Sequence, residues 1–298
     1  VPDIVVGAAR QYLARRADMV NRYLETLLPE TTRPQRLFAA MNYSLLSGGK
    51  RLRPVLCIAT AECFSVSAED VLPSAAAIEM VHAYSLIHDD LPAMDNDDLR
   101  RGRPTNHKVY GEAVALLAGD ALLTQAFAQL SRLSALSPEK RLRLVSVLAD
   151  AAGPYGMVAG QVVDMEQEKA KGTEIDLEFI HRHKTGKLIT ASVVMGGLHA
   201  DVPGDVLDRL EIFGQHLGLG YQMVDDLLDV TATSEQLGKT AGKDIVAGKL
   251  TYPMLIGLAE TRKRLDETLK KALDTLNEIG LAHSHLADLA ELLIHRAF

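Results

Sequence analysis

Apolar residues recur along this chain every three to four positions, and the alternation expected of strands is nearly absent; that pattern restricts the fold to helices packed on helices. Between residues 11 and 28, Leu13, Ala17, Val20, Leu24 and Leu27 trace one helical face. Ser67 with Asp70 three residues on reads as a capping box opening a helix towards His88, and Ser137-Pro138-Glu139 as an N-cap followed by proline in the first helical position. Pro92, Pro104, Pro138, Pro154, Pro203 and Pro253 punctuate the pattern, giving about ten helices. Residues 113–130, 142–152 and 188–198 are apolar nearly all round and are expected at the centre of a large bundle. No Gly/Ser-rich or Pro-rich linker and no repeat of about 20 to 50 residues interrupts the chain, so residues 1–298 are expected to form one all-α domain. The longest interruption, 231–250, is rich in Gly and Lys and is the place for a functional connection.

Composition excludes several classes of function. With 39 Asp and Glu against 32 Lys and Arg, the net charge of −7 offers no general attraction to nucleic acid or anionic lipid. Cys57 and Cys63 lack the spacing of a disulfide framework or a zinc knuckle, as expected of reduced thiols in a cytoplasmic protein. No apolar run is expected to reach the roughly 18 residues of a membrane span. The opening VPDIVVGAAR is too short and weakly basic to read as a signal peptide.

Two aspartate clusters about 135 residues apart carry the strongest chemical signal: Asp89, Asp90 and Asp95 around Pro92, and Asp225, Asp226 and Asp229. Each follows a long apolar helical stretch. In the second, the i, i+4 spacing puts Asp225 and Asp229 on one helical face. In the first, Pro92 should break the helix and let the chain return Asp95 towards Asp89. Carboxylates gathered in a partly desolvated site raise one another's pKa unless a cation neutralises them. Such hard oxygen donors suit Mg²⁺, which takes one or two carboxylates and completes its octahedron with water and phosphate oxygens.

The basic complement comes in four pieces. Lys50, Arg51 and Arg53 follow the pair Gly48-Gly49, where backbone N–H groups and cations can converge on an anion. Arg100 and Arg101 trail the first acidic cluster. The run from His181 to Lys187 lies mid-chain, and Lys239, Lys243 and Lys249 lie in the long connection after the second cluster. Acids and bases together describe a site for two phosphate-bearing ligands, one held through metal and the other directly by basic side chains.

These residues sit in seven motifs: GGKRLRP, HAYSLIHDDLPAMDNDDLRRGRPTNH, AGDALL, GQVVD, HKTGKL, GYQMVDDLLD and GKTAGKDIVAGKLTYP. In this order, over nearly the whole chain, they resemble the trans-isoprenyl diphosphate synthase family, and most closely its bacterial-type farnesyl diphosphate synthases. The resemblance implies an all-helical bundle around a deep central cavity, usually as a homodimer. It also implies condensation of an allylic diphosphate with isopentenyl diphosphate. Residue by residue, it makes Asp89 and Asp95, supported by Asp90, and Asp225, backed by Asp226 and Asp229, the holders of three Mg²⁺ ions. Arg100, Lys184, Lys239 and Lys249 would hold the allylic diphosphate; Lys50, Arg53, His82 and Arg101 would hold isopentenyl diphosphate without metal. Thr185 and Gln222 would face the allylic cation, and the departed diphosphate would accept the final proton, so no protein base is expected.

Product length in such enzymes is gated by bulk just before the first aspartate motif, here Tyr84 followed by the small Ser85. That pair implies a C15 product, with geranylgeranyl diphosphate (C20) as the alternative. The basic C-terminal tail of relatives is reduced here to Arg296. A class I terpene cyclase would need an aromatic-lined cavity, for which six Phe, eight Tyr and no Trp are poor material. A non-catalytic partner subunit tends to have lost aspartates, and all six are present.

Overall fold

The computed structural model describes residues 3–29, 31–167, 172–231 and 250–295. The chain forms helices α1 (Asp3–Leu24), α2 (Gln35–Leu45), α3 (Leu52–Cys63) and α4 (Ala68–Asp89), then a hairpin of β1 (Leu99–Arg100) and β2 (Arg103–Pro104). Next come α5 (Asn106–Tyr110), α6 (Glu112–Ser131), α7 (Pro138–Ala152), α8 (Met157–Gln167) and α9 (Glu174–Ile180). A π-helical turn (His181–Gly186) leads into α10 (Lys187–His199) and α11 (Gly204–Thr231). Described residues resume with α12 (Tyr252–Ile256), α13 (Leu258–Glu278) and α14 (His285–Ile294). The helices outnumber the ten expected because short turns at Gly and Pro breaks, such as α5 and α12, close helices of their own.

Both expected serine caps form. Ser67 Oγ accepts from the Asp70 N–H at 3.3 Å while donating to the Asp70 carboxylate at 2.8 Å. Ser137 caps α7 through the Lys140 N–H, with Pro138 in the first turn. At Ser67 the reciprocal backbone bond of a capping box is not made; Thr173 and Asp176 build the full box on α9.

α10 is the hub: every residue from Leu188 to His199 is buried. Its Leu188, Ala191 and Met195 join a core around α4, while Ile189 and Val193 join a core around α11. α3 divides its side chains between the same two cores. Sequence predicted α10 correctly and misplaced the other two central candidates. α6 packs Ala115, Ala118, Gly119 and Leu122 against α4 but leaves Leu117 56% exposed, and α7 leaves Leu142 69% exposed. An apolar composition states what a face tolerates, and only the neighbours decide whether it is covered. α6 also corrects the expectation about spans: it is long and apolar enough, by length and composition, to cross a membrane. In this fold a third of it is buried inside the bundle.

Candidate active site

α4 ends at Asp89, and the chain then turns so that the Asp95 N–H donates to the Asp89 carbonyl at 2.9 Å. Pro92 thus returns the second acid to the first. Burial pushes the Asp89 carboxyl up to about 6 against the opposing pull of Lys184, and the nearby Asp95 carboxylate raises it further. Asp90 is turned elsewhere: 3% exposed, it pairs with Arg100, whose Nη2 lies 2.7 Å and Nε 2.8 Å away. Among the described residues no three acidic, histidine or cysteine side chains converge closely enough to hold an ion unaided. The donors fit Mg²⁺, which needs one or two carboxylates and takes its remaining oxygens from phosphate and water.

Below this mouth lies a cavity of about 380 Å³. Tyr84, Ser85, His88 and Met94 line it from the α4 side; Met157, Val158, Val162 and Met165 line it from α8; Lys184 and Thr185 reach it from the π-helical turn. The π turn meets α8 so closely at Gly160 that an added Cβ would lie 2.1 Å from the Lys184 nitrogen. That approach aims Lys184 at the mouth, where its Nζ pairs with Asp164 at 2.6 Å. Gln161 lines the same cavity with both amide atoms buried and no hydrogen-bond partner among the described residues. Sequence reasoning named the segment GQVVD without assigning Gln161 or Asp164, although their i, i+3 spacing puts both on one face of α8.

A second cavity, of about 330 Å³, is basic. Lys50, Arg53, His82 and Arg101 line it together with the Gly49 backbone and Tyr221, which sequence reasoning missed. Arg101 comes from the tip of the β1–β2 hairpin, where Arg101 and Gly102 both adopt positive φ, as a tight two-residue turn requires. Its guanidinium lies against Gly49 and donates to the Gly48 carbonyl. Burial and the surrounding arginines push its pKa down, although Glu79 pulls the other way. Burial, with Arg53, Arg101, Arg100 and Arg51 close by, holds His82 neutral. Arg53 Nε is buried with no hydrogen-bond partner among the described residues. Cations crowded in this way describe an anion site.

Arg51 and Glu79 line the same cavity, but the Arg51 guanidinium is engaged by partners within the fold. Arg51, 4% exposed, pairs with Glu79 at 2.5 Å and donates to Asn21 and to the Leu45 carbonyl at 2.7 Å each, pinning the loop that presents Lys50 and Arg53. Arg53 and His82 line both cavities.

The second aspartate cluster lies inside α11, which runs on to Thr231. Asp226 is buried and holds the frame: one oxygen lies 3.0 Å from His181 Nε2 and accepts the Tyr252 N–H at 2.9 Å. Asp229 is also buried; Asp225 and Gln222 are half-buried, and none of these four lines either cavity. Lys239, Lys243, Lys249 and Arg296 lie outside the described residues.

The polyprenyl synthetase family matches residues 34–284, most of the chain. The chain belongs to that family. This polyprenyl synthetase is 47% identical over 293 residues to the heterodimeric geranylgeranyl pyrophosphate synthase large subunit 1 of Arabidopsis thaliana, covering 96% of this chain and 78% of that one. It is 45% identical over 287 residues to the farnesyl diphosphate synthase of Bacillus subtilis strain 168, covering 96% and 97%. Its fold superposes on an FPP/GFPP synthase from Zymomonas mobilis with a TM-score of 0.87 at 35% identity, covering 97% and 99% of the two chains. A Helicobacter pylori geranyltransferase complexed with magnesium and isoprenyl diphosphate gives 0.82 at 34% identity, covering 95% of each. The prenyltransferase family and the all-helical fold expected from the motifs are thereby established for this polyprenyl synthetase.

Proposed function

We propose that this prenyltransferase condenses isopentenyl diphosphate with dimethylallyl and geranyl diphosphates and releases farnesyl diphosphate. The observation that carries this reading is the pair of cavities joined at Arg53 and His82, one basic and one apolar with an acidic mouth. Lys50, Arg53, His82 and Arg101 hold the diphosphate of isopentenyl diphosphate and aim its double bond across the shared wall. The allylic chain lies in the apolar cavity with its diphosphate at the mouth, near Asp89, Asp95, Lys184 and Arg100, with Lys239 and Lys249 as further holders. Asp89, Asp95 and Asp225, supported by Asp90, Asp226 and Asp229, would hold three Mg²⁺ ions, whose Lewis acidity stabilises the leaving diphosphate.

Thr185, on the wall of the apolar cavity, offers an oxygen dipole to the allylic cation without trapping it; Gln222, half-buried on α11 outside both cavities, would need to turn its amide inward to add a second. The double bond then attacks the cation, and the departed diphosphate accepts the proton lost as the new alkene forms. Holding both reactants in register supplies much of the rate.

Tyr84, with Ser85 beside it, lines the apolar cavity and supports C15. The identity to plant geranylgeranyl synthases favours C20 as the second reading. An assay with Mg²⁺, isopentenyl diphosphate and C5, C10 or C15 allylic diphosphates, read by chromatography, decides: C15 is expected to accumulate. A C20 product would favour the second reading, and no consumption of isopentenyl diphosphate would end both.

The assembly proposed is a homodimer, supported by the uncovered apolar face of α6 at Leu116 and Leu117. Leu117→Lys should then halve the mass seen by sedimentation.

A further inference from the structure

Tyr84 does not stand alone beneath the cavity. Four residues on along α4, His88 packs its ring edge-on to the Tyr84 ring, with centroids 5.6 Å apart and planes at 80°. On its other side the His88 ring rests on the backbone of α6. Its Nε2 lies 2.9 Å from the Leu116 carbonyl, which can only accept, so this nitrogen carries the proton. The Asp120 carboxylate stands 3.8 Å away. The ring reaches that carbonyl because residue 119 is glycine: a Cβ there would lie 2.1 Å from His88 Nε2 and 2.4 Å from Cδ2. A real side chain would have to displace the ring by more than an ångström. The ring cannot retreat into α6, which leaves the side of Tyr84 and the cavity.

The backbone of α6, the His88 ring and the Tyr84 ring therefore lie against one another in series. His88 and Tyr84 both line that cavity. Burial pushes the Tyr84 hydroxyl up to about 12, with the Asp89 carboxylate adding to the effect, so the phenol stays neutral beneath the mouth.

We propose that Gly119 and His88 are positioning residues for product length, Gly119 by admitting the His88 ring against α6 and His88 by fixing Tyr84; this inference rests on the chain-elongating function proposed above. Loss of the His88 ring lets Tyr84 swing towards α6 and deepens the cavity by room for additional carbons. A methyl group at 119 drives the ring the other way and makes the cavity shallower. Discrimination of one hydrocarbon increment by an apolar pocket is worth about tenfold or more in relative rate, so either change should be visible in the product distribution.

The test uses the full-length protein with dimethylallyl diphosphate, isopentenyl diphosphate and Mg²⁺, comparing wild type, Gly119→Ala, His88→Ala and the double variant. The readout is the ratio of each product to the one five carbons shorter. Read at equal consumption of isopentenyl diphosphate, that ratio is not moved by partial loss of folded protein. Gly119→Ala should lower the ratio for the longest wild-type product by about fivefold or more, and His88→Ala should yield products one unit longer. The double variant should match His88→Ala alone, because the methyl group then has no ring to displace. A distribution unchanged in His88→Ala overturns the proposal, as does a Gly119→Ala shift that persists undiminished without His88. Should Gly119→Ala fail to fold, His88→Ala decides. A wild-type protein that consumes no isopentenyl diphosphate defeats the elongation reading first, and this inference with it.

Discussion

The two aspartate clusters share a sequence pattern and do not share a structure. At the end of α4, Pro92 stops the helix; the turn that follows leaves Asp89 and Asp95 at the cavity mouth and hands Asp90 to Arg100. In α11 nothing breaks the helix, so its 100° steps carry Asp226 to the side facing His181 and Tyr252 while Asp225 stays half-buried on another. The first cluster leaves two carboxylates at the mouth of a cavity, whereas Asp226 in the second spends its charge tying together α11, the π turn that carries Lys184 and the segment entering α12. A carboxylate's role thus follows from whether the backbone continues beneath it.

The largest effect should come from the mouth. Asp89→Ala is expected to lower kcat/KM by about 10³-fold, roughly 4 kcal/mol of transition-state stabilisation, with little change in Tm. A fully active variant would place Asp89 outside the metal site and erase the contrast. The buried residues should show the opposite signature. Glu79→Gln leaves the Arg51 guanidinium buried without its counter-charge, and the loss of about 3 kcal/mol or more should appear as a lower denaturation midpoint.

His199 calibrates what a buried histidine costs when its partner is neutral. Bonded to Ser74 Oγ at 2.8 Å, where His181 has a carboxylate, it is pushed down to about 4, mainly by burial and then by Lys140, against the opposing pull of Asp70 and Asp201. Its folded-state pKa lies below the unfolded value of 6.5. The stability it supports is therefore present above pH 6.5 and is lost, to about 3 kcal/mol, as pH falls towards 4. Melting curves of wild type and His199→Gln across that window should diverge at neutral pH and converge in acid. Parallel curves would remove His199 as the source.

Asp226→Asn should cost about 2 kcal/mol of stability by weakening a charge-assisted bond to His181. Activity should fall less than in Asp89→Ala. A variant as stable as wild type but as inactive as Asp89→Ala would assign Asp226 to the mouth after all. The smallest change is one of product. Tyr84→Ala should lengthen the chain at a similar turnover, and an unchanged C15 product would leave the floor to His88.

Much of the site was legible as a list of residues, and far less as a geometry. Ser67, Ser137 and Pro92 act through their own few neighbours, so caps and the broken helix could be read locally. The motifs named Lys50, Arg53, His82, Arg101, Asp89, Lys184 and Thr185, which the structure gathers around two adjoining cavities. Arg51 could not be told from Lys50 and Arg53, because its engagement within the fold depends on Glu79, 28 positions away. Nor could the uncovered face of α6 be separated from the covered face of α10, since both sequences are apolar all round.

By itself, then, the sequence determined that this chain is helical, where the helices with a capping serine or a breaking proline start or stop, and that two acidic and four basic clusters are available for phosphate chemistry. These follow from interactions within a few residues, or from ordered motifs. The tertiary structure alone decided which of those charges line a cavity and which hold the frame, that Arg53 and His82 form a common wall, and that Gly119 lies beneath His88. Those facts depend on contacts between helices far apart in sequence, where an ångström of separation outweighs residue type.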